Sequence, residues 1–141
     1  LNLAQYLRDL SEPLRGLHGP DTDGVDVQYD LASKSIKLDQ AIPCGLILNE
    51  LLTNSLKYAY DEGESGTINV STDFGESRGY LVVEDQGSGL PDSVMNGEVS
   101  TFGLDMVETL AEYELEGCYT IDNEDGTRTE IEFPLNEEQN A

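Results

Sequence analysis

The stretch 48–60, LNELLTNSLKYAY, decides how the chain is read. At helical period it is apolar almost all the way round, which marks a helix buried on several sides, yet Glu50, Asn54 and Lys57 interrupt it. At ~100° per residue these three fall within about 60° of arc, with the ring of Tyr58 at the edge. On a plain structural account Asn54 is satisfied by neighbours and Lys57 snorkels to water at the helix end. A buried amide beside a lysine is costly without partners, however, and an amide oxygen with a carboxylate nearby is a hard-donor environment suited to hydrated Mg2+. The lysine would then meet phosphate.

Outward from this stretch, the helix is predicted over about 40–60, with Asp39 as N-cap, Pro43 tolerated in the first turn and DEGESG closing it. Upstream, residues 3–17 carry Leu3, Tyr6, Leu7, Leu10, Leu14 and Leu17 at spacings of three and four, an amphipathic helix containing Pro13. VDVQYDL and SIKL read as two short strands joined by a turn around Ala32–Ser33. Downstream, TINVSTDF and GYLVVED flank GESR as an antiparallel hairpin, and CYTIDN and TRTEIEFP flank EDGT as a second one. Between them, QGSGLPDSVMNGEVS is a long polar loop, and TFGLDMVETLAEYELEG returns to helical spacing through Phe102, Met106, Leu110 and Tyr113, with Gly117 as a C-terminal cap. The order predicts one α+β domain, a mixed sheet with its helices gathered on one face, and a frayed tail over 136–141.

The 141 residues suit a single core, and the chain contains 29 acidic against 7 basic residues, a formal net charge of −22. Nucleic acid is disfavoured as a partner, because binding there needs Lys and Arg to neutralise phosphates. Acidic residues spread over loops and outer faces resemble proteins of salt-loving organisms, where concentrated salt screens self-repulsion; an acidic docking surface for a basic partner is the alternative. No long apolar run or signal-peptide pattern is present, so membrane contact by this domain is not expected and a cytoplasmic location is, whether or not a parent protein is anchored. Opening on Leu1 and going straight into a helix, the chain reads as a piece of a longer protein. Cys44 and Cys118 lack metal-ligand spacing and read as buried structural thiols, and His18 as a surface loop residue.

Three further features follow the long helix. EDQGSGL places Asp85 directly after an apolar strand, with Gly87 and Gly89 behind it. This is either an Asp-initiated turn or a carboxylate fixed to accept from an exocyclic amine, with glycines letting backbone approach a flat ring. In STFGLDMV, Gly103 and Leu104 open a helix, whose free N–H groups and dipole suit an anion. DGTRTEIEFP puts Gly126 and Thr127 in a hairpin turn. Taken singly, each is an ordinary turn or helix start.

In this order the four features resemble the catalytic ATP-binding domain of sensor histidine kinases, in the superfamily that also holds DNA gyrase B, the HSP90 chaperones and MutL. NELLTNSLKYA is similar to the N box, DQGSG and TFGLDMV to the two glycine boxes, and GTRTEIEFP to the closing G-T motif. The resemblance covers residues 1–135. LNLAQYLRDLSEPLR and AIPCGLILNELLTNSLKYAY look most like the subgroup with a short nucleotide lid.

The resemblance implies a Bergerat fold, an α/β sandwich of a mixed, largely antiparallel sheet on three helices, binding ATP and Mg2+. By position, Asn54 would coordinate Mg2+, with Glu50 reaching it through water, and Lys57 would contact phosphate. Tyr58 would flank the ribose or base. Asp85 would accept from the adenine amine, Gly87 and Gly89 would shape the adenine end, and Thr127 would support Asp85 through its hydroxyl or a water. Gly103 and Leu104 would start the helix under the phosphates. Residues 90–102 would be the lid, with Leu90 and Thr101 near its ends; Thr101 stands where the family often has another glycine. The implied partners are ATP or ADP, a dimerisation and histidine-phosphotransfer domain absent from this chain, and a downstream response regulator. Alternatives are an ATP hydrolase, for which Glu50 would serve as base, and a non-catalytic module switched by nucleotide occupancy.

Overall fold

The computed structural model describes residues 1–17, 25–58, 65–87, 102–123 and 125–135. In chain order the elements are α1 (Leu3–Leu17), β1 (Val25–Leu31), α2 (Leu38–Tyr58), β2 (Gly66–Phe74), β3 (Arg78–Asp85), α3 (Phe102–Thr109), a π-helical turn (Leu110–Glu114), β4 (Cys118–Asp122) and β5 (Thr127–Pro134). The expected tail over 136–141, His18 and most of the long loop lie outside the described residues.

The sheet has the order β1-β2-β3-β5-β4. Among the described strands only β1 and β2 run parallel, with α2 as the crossover between them; the other three described pairings are antiparallel. Alternation explains the layering. Along β3, Gly79, Leu81, Val83 and Asp85 are buried, and along β5, Thr127, Thr129, Ile131 and Phe133. The intervening residues form an open polar face, where Arg128 pairs with Glu84 at 3.2 Å and Arg78 with Glu132 at 3.1 Å. This one-sided burial is what an antiparallel sheet with helices on one face requires. Gly79 accommodates the Phe133 ring, whose nearest atom would lie 2.6 Å from a Cβ.

The helix α2 fills the middle of the helical layer. Ala41, Cys44, Ile47, Leu48, Leu51, Leu52 and Leu56 are buried, each large side chain adding about 1.5–3 kcal/mol of apolar burial. Gly45 lets α1 approach closely, since a Cβ there would lie 2.6 Å from Leu10 and 2.9 Å from Tyr6. Gln40 ties the start of α2 to the end of β5 by donating to the Pro134 carbonyl at 2.7 Å. Asn2 caps α1, accepting from the Gln5 N–H at 3.1 Å.

Several expectations need correction. SIKL is not a sheet strand: Ser35 makes an isolated antiparallel bridge to Asn2, and Ile36 donates to the Leu1 carbonyl at 2.9 Å. The backbone of residues 34–36 is taken up by residues 1–3 at the chain start instead of by a sheet strand. Asp39 lies in the first turn instead of capping it, the first carbonyl acceptor being Lys37, and Pro43 consequently falls in the second turn. The last helix does not stay α-helical. Leu115 N–H bonds to the Leu110 carbonyl, five residues back, so one extra residue enters the turn. Val107, Ala111 and Leu115 then face the core and Tyr113 is 77% exposed. Its left-handed terminal residue is Glu116, φ 55°; Gly117 is needed because a Cβ there would fall on the Glu132 carbonyl oxygen.

The thiols also differ. Cys44 is buried, and burial pushes its pKa up to about 12, so no thiolate forms near neutrality. Cys118 is exposed because β4 is an edge strand and Cys118 pairs with Glu132 on the open face. Across the same strand Tyr119 faces the end of α3 and the π-helical turn, where burial and then Glu108, Glu112 and Asp105 raise its phenol pKa. Among the described residues, no helix is long and apolar enough to cross a membrane.

Candidate functional site

The apolar core turns polar at one end. Asp85 occupies the fourth inward position of β3, after Gly79, Leu81 and Val83, and is 1% exposed. Register places it between Ile68 of β2 and Thr127, the first residue of β5. A carboxylate so enclosed must be satisfied internally. Its Oδ1 accepts from the Gly87 N–H at 3.0 Å and the Thr127 N–H at 3.3 Å, and its Oδ2 accepts from the Ser55 hydroxyl at 3.0 Å. These donors fix the side chain from three elements, the loop after β3, the start of β5 and α2.

The β4–β5 turn is built around this carboxylate. Gly126 has φ 85°, and a Cβ there would fall on the Asp85 carbonyl oxygen. Both the conformation and the close approach require glycine. Thr127 reaches Asp85 through its backbone N–H, while its hydroxyl donates to Asn123 Oδ1 at 2.9 Å. The resemblance implied support through the Thr127 hydroxyl or a water; the direct contact seen here is the main-chain N–H. Gly87 closes an Asp-initiated turn, the plain structural reading of that motif, and among the described glycines only Gly126 has positive φ.

On α2, Glu50 and Asn54 are half-buried, one helical turn apart, and Ser55 follows on the inward side. The Glu50 carboxylate rests against Gly103 in the first turn of α3, where a Cβ would coincide with Glu50 Oε2. Gly103 therefore makes room for the Glu50 carboxylate at the helix start that the sequence read as suited to an anion. Leu104 follows it, half-buried. Lys57 and Tyr58 belong to the last turn of α2, and their side chains are outside the description. Gly89, Leu90 and Thr101 also lie outside the described residues.

The structure thus brings Asp85, Gly87 and Thr127 into one hydrogen-bonded unit and sets Glu50 against Gly103. Sequence reading missed Ser55 and Asn123. A serine in a buried helix looks like a filler residue, and only the packing of α2 on β3 reveals its partner. The second turn residue, Asn123, carries no signal beyond being polar. Among the described residues, no group of three or more His, Cys, Asp and Glu side chains could hold a metal by itself.

Comparison with known proteins adds independent findings. The family model described as histidine kinase-, DNA gyrase B- and HSP90-like ATPase matches residues 39–137. A blue-light-activated histidine kinase 2 of Erythrobacter litoralis is 25% identical over 138 residues, covering 97% of this chain and 39% of the relative. The chain therefore spans about two fifths of that protein's length. The solved histidine kinase domain of the Erythrobacter litoralis EL346 blue-light-activated kinase superimposes with TM-score 0.85 at 23% identity, over 96% of this chain and 62% of that one. The mycobacterial sensor histidine kinase MprB gives TM-score 0.75 at 18% identity, over 98% and 97%. These superpositions show a shared fold, three helices on a five-stranded mixed sheet.

Proposed function

The chain belongs to the histidine kinase-, DNA gyrase B- and HSP90-like ATPases, and from that membership we propose that residues 1–135 form the ATP-binding catalytic domain of a sensor histidine kinase. It delivers the γ-phosphoryl group of ATP to a histidine on a separate dimerisation domain of the same parent, which passes it to a response regulator. The observation that carries this reading is the buried Asp85 carboxylate, held by three internal donors at the polar end of the core, one of them Ser55 of α2, the residue after Asn54. A fixed acceptor of this kind suits the exocyclic amine of adenine.

The remaining roles follow the order of the elements. Gly87 and Gly89 shape the adenine end, and Tyr58 flanks the ribose or base. Lys57 meets phosphate at the C-terminal turn of α2, Leu90 and Thr101 belong to a short lid, and Gly103 and Leu104 open α3 beneath the phosphates. Glu50 and Asn54 are oxygen donors on one helix face, which fits Mg2+, an ion that keeps several waters and takes few protein ligands. Asn54 would bind it directly and Glu50 through water; when bound, it neutralises phosphate charge. Such local neutralisation allows a chain of net charge −22 to hold an anion. Catalysis by this domain is then mainly positioning. The charge supports a high-salt origin, and the reading carries a cytoplasmic location for the domain.

Incubating the chain with labelled ATP, Mg2+ and a separately expressed dimerisation domain at high KCl is expected to yield acid-labile, base-stable phosphohistidine on the added domain. Absence of label on a folded, nucleotide-bound pair would contradict the assignment. The position of Glu50, four residues before Asn54, keeps ATP hydrolysis as the second reading. Phosphate release without acceptor, lost in Glu50→Gln, would favour it.

A further inference from the structure

We infer that Ser55 is a positioning residue that sets the site's selectivity for a 6-amino purine, acting through Asp85. The inference rests on the nucleotide-site reading above and concerns a residue to which that reading gives no role. An ionised carboxylate offers about four lone-pair positions, two on each oxygen. At Asp85 both positions of Oδ1 are occupied by main-chain donors, Gly87 N–H at 3.0 Å and Thr127 N–H at 3.3 Å. Ser55 Oγ occupies one of the two on Oδ2, at 3.0 Å. One acceptor position is left.

The hydroxyl of Ser55 has a single proton. A serine inside a helix ordinarily gives it to a carbonyl in the preceding turn, as Ser11 does to Leu7 at 2.8 Å. Ser55 gives it to Asp85 instead, and both side chains are buried, 8% and 1% exposed. Two consequences follow. The proton cannot also serve a ligand, so the open position of Oδ2 can only accept. With three of four positions filled from three different elements, the carboxylate plane cannot turn to follow a poorly placed ligand. A purine presenting N–H at this point is bound; one presenting a carbonyl oxygen meets a carboxylate lone pair, and one presenting C–H leaves it unpaired.

Without the Ser55 proton, Oδ2 has two open positions and the carboxylate is held only along one edge. The amine contact then loses its defined direction. Loss of Ser55 should therefore weaken the ligand's amino group and little else, which a packing role for Ser55 would not produce.

The test is calorimetric titration of the 141-residue chain at high KCl with ADP and with purine riboside diphosphate, identical except for hydrogen at C6. The wild-type chain is expected to bind ADP about 30-fold tighter, the range for a hydrogen bond to a charged group. Ser55→Ala is expected to cut that ratio by about tenfold, mostly through weaker ADP binding, with the amine-free ligand changed by less than about threefold. Ser55→Cys fills similar volume with a much weaker donor and should behave like Ser55→Ala, whereas Ser55→Thr retains the hydroxyl and should restore the ratio. Parallel loss of both ligands in Ser55→Ala, or an unchanged ratio, would overturn the role of Ser55 while leaving the nucleotide site standing. A folded wild-type chain that binds neither ligand would remove the nucleotide site itself, and this role with it.

Discussion

Asp85→Asn is expected to abolish adenine-nucleotide binding, by about 100-fold or more in affinity, in a domain that still folds. The two side chains are the same size, and the asparagine oxygen can take the place of Oδ1, accepting from the Gly87 and Thr127 N–H groups. Its amide nitrogen then stands where Oδ2 was. One of its protons can go to Ser55, whose hydroxyl turns to accept it. The other points at the only open position, where the adenine amine also presents a proton. Two donors face each other, and neither can be satisfied in a buried site. Every internal bond of the free domain survives, so its melting temperature should change little while calorimetric titration with ADP shows the loss. Near-wild-type affinity in Asp85→Asn would mean that Asp85 only closes a turn.

The second large effect is expected at Gly126. With φ 85° and a Cβ position lying on the Asp85 carbonyl oxygen and 2.9 Å from Gln86 Cα, alanine there clashes with main chain that cannot swing aside. Gly126→Ala should cost ~3 kcal/mol of stability, combining a strained conformation with the displacement of a hairpin. By moving the turn it should also draw the Thr127 N–H away from Asp85 and weaken ADP binding in the fraction that folds. Gly75, in the β2–β3 turn, is the control: the nearest atom to a Cβ there is 4.0 Å away, and alanine should be tolerated within about 0.5 kcal/mol. Urea unfolding of the two variants measures the contrast, and equal midpoints would contradict it.

Where local chemistry and tertiary packing point the same way, the sequence was readable. Both hairpins were legible, because inward positions alternate through Leu81, Val83 and Asp85, and through Thr129, Ile131 and Phe133, on either side of turn residues. The helix α1 was legible from its leucine spacing. Failures came where packing overrode a local pattern. Ser35 and Ile36 have strand-like neighbours but pair with Asn2 and Leu1 at the chain start instead of joining the sheet. The π turn at Leu110–Glu114 turns Tyr113 outward from a stripe that a regular helix would bury. Cys118 looked like a core thiol, and an edge strand exposed it.

The candidate site divides along the same line. Asp85 stood out because a carboxylate ends an apolar alternation just before glycines, which is visible in one dimension. Its partners are visible only in three. The Ser55 hydroxyl and the Thr127 N–H come from elements 30 and 42 residues away in the chain. Glu50 and Gly103 were each singled out, yet nothing in their spacing shows that the carboxylate of one fills the space left by the other.

Titration of the folded chain with ADP, with and without Mg2+, across a range of KCl concentrations tests the central claim most directly. The account predicts saturable binding of one nucleotide per chain, strengthened by Mg2+. Absence of binding at every salt concentration, in a chain shown to be folded, would contradict it.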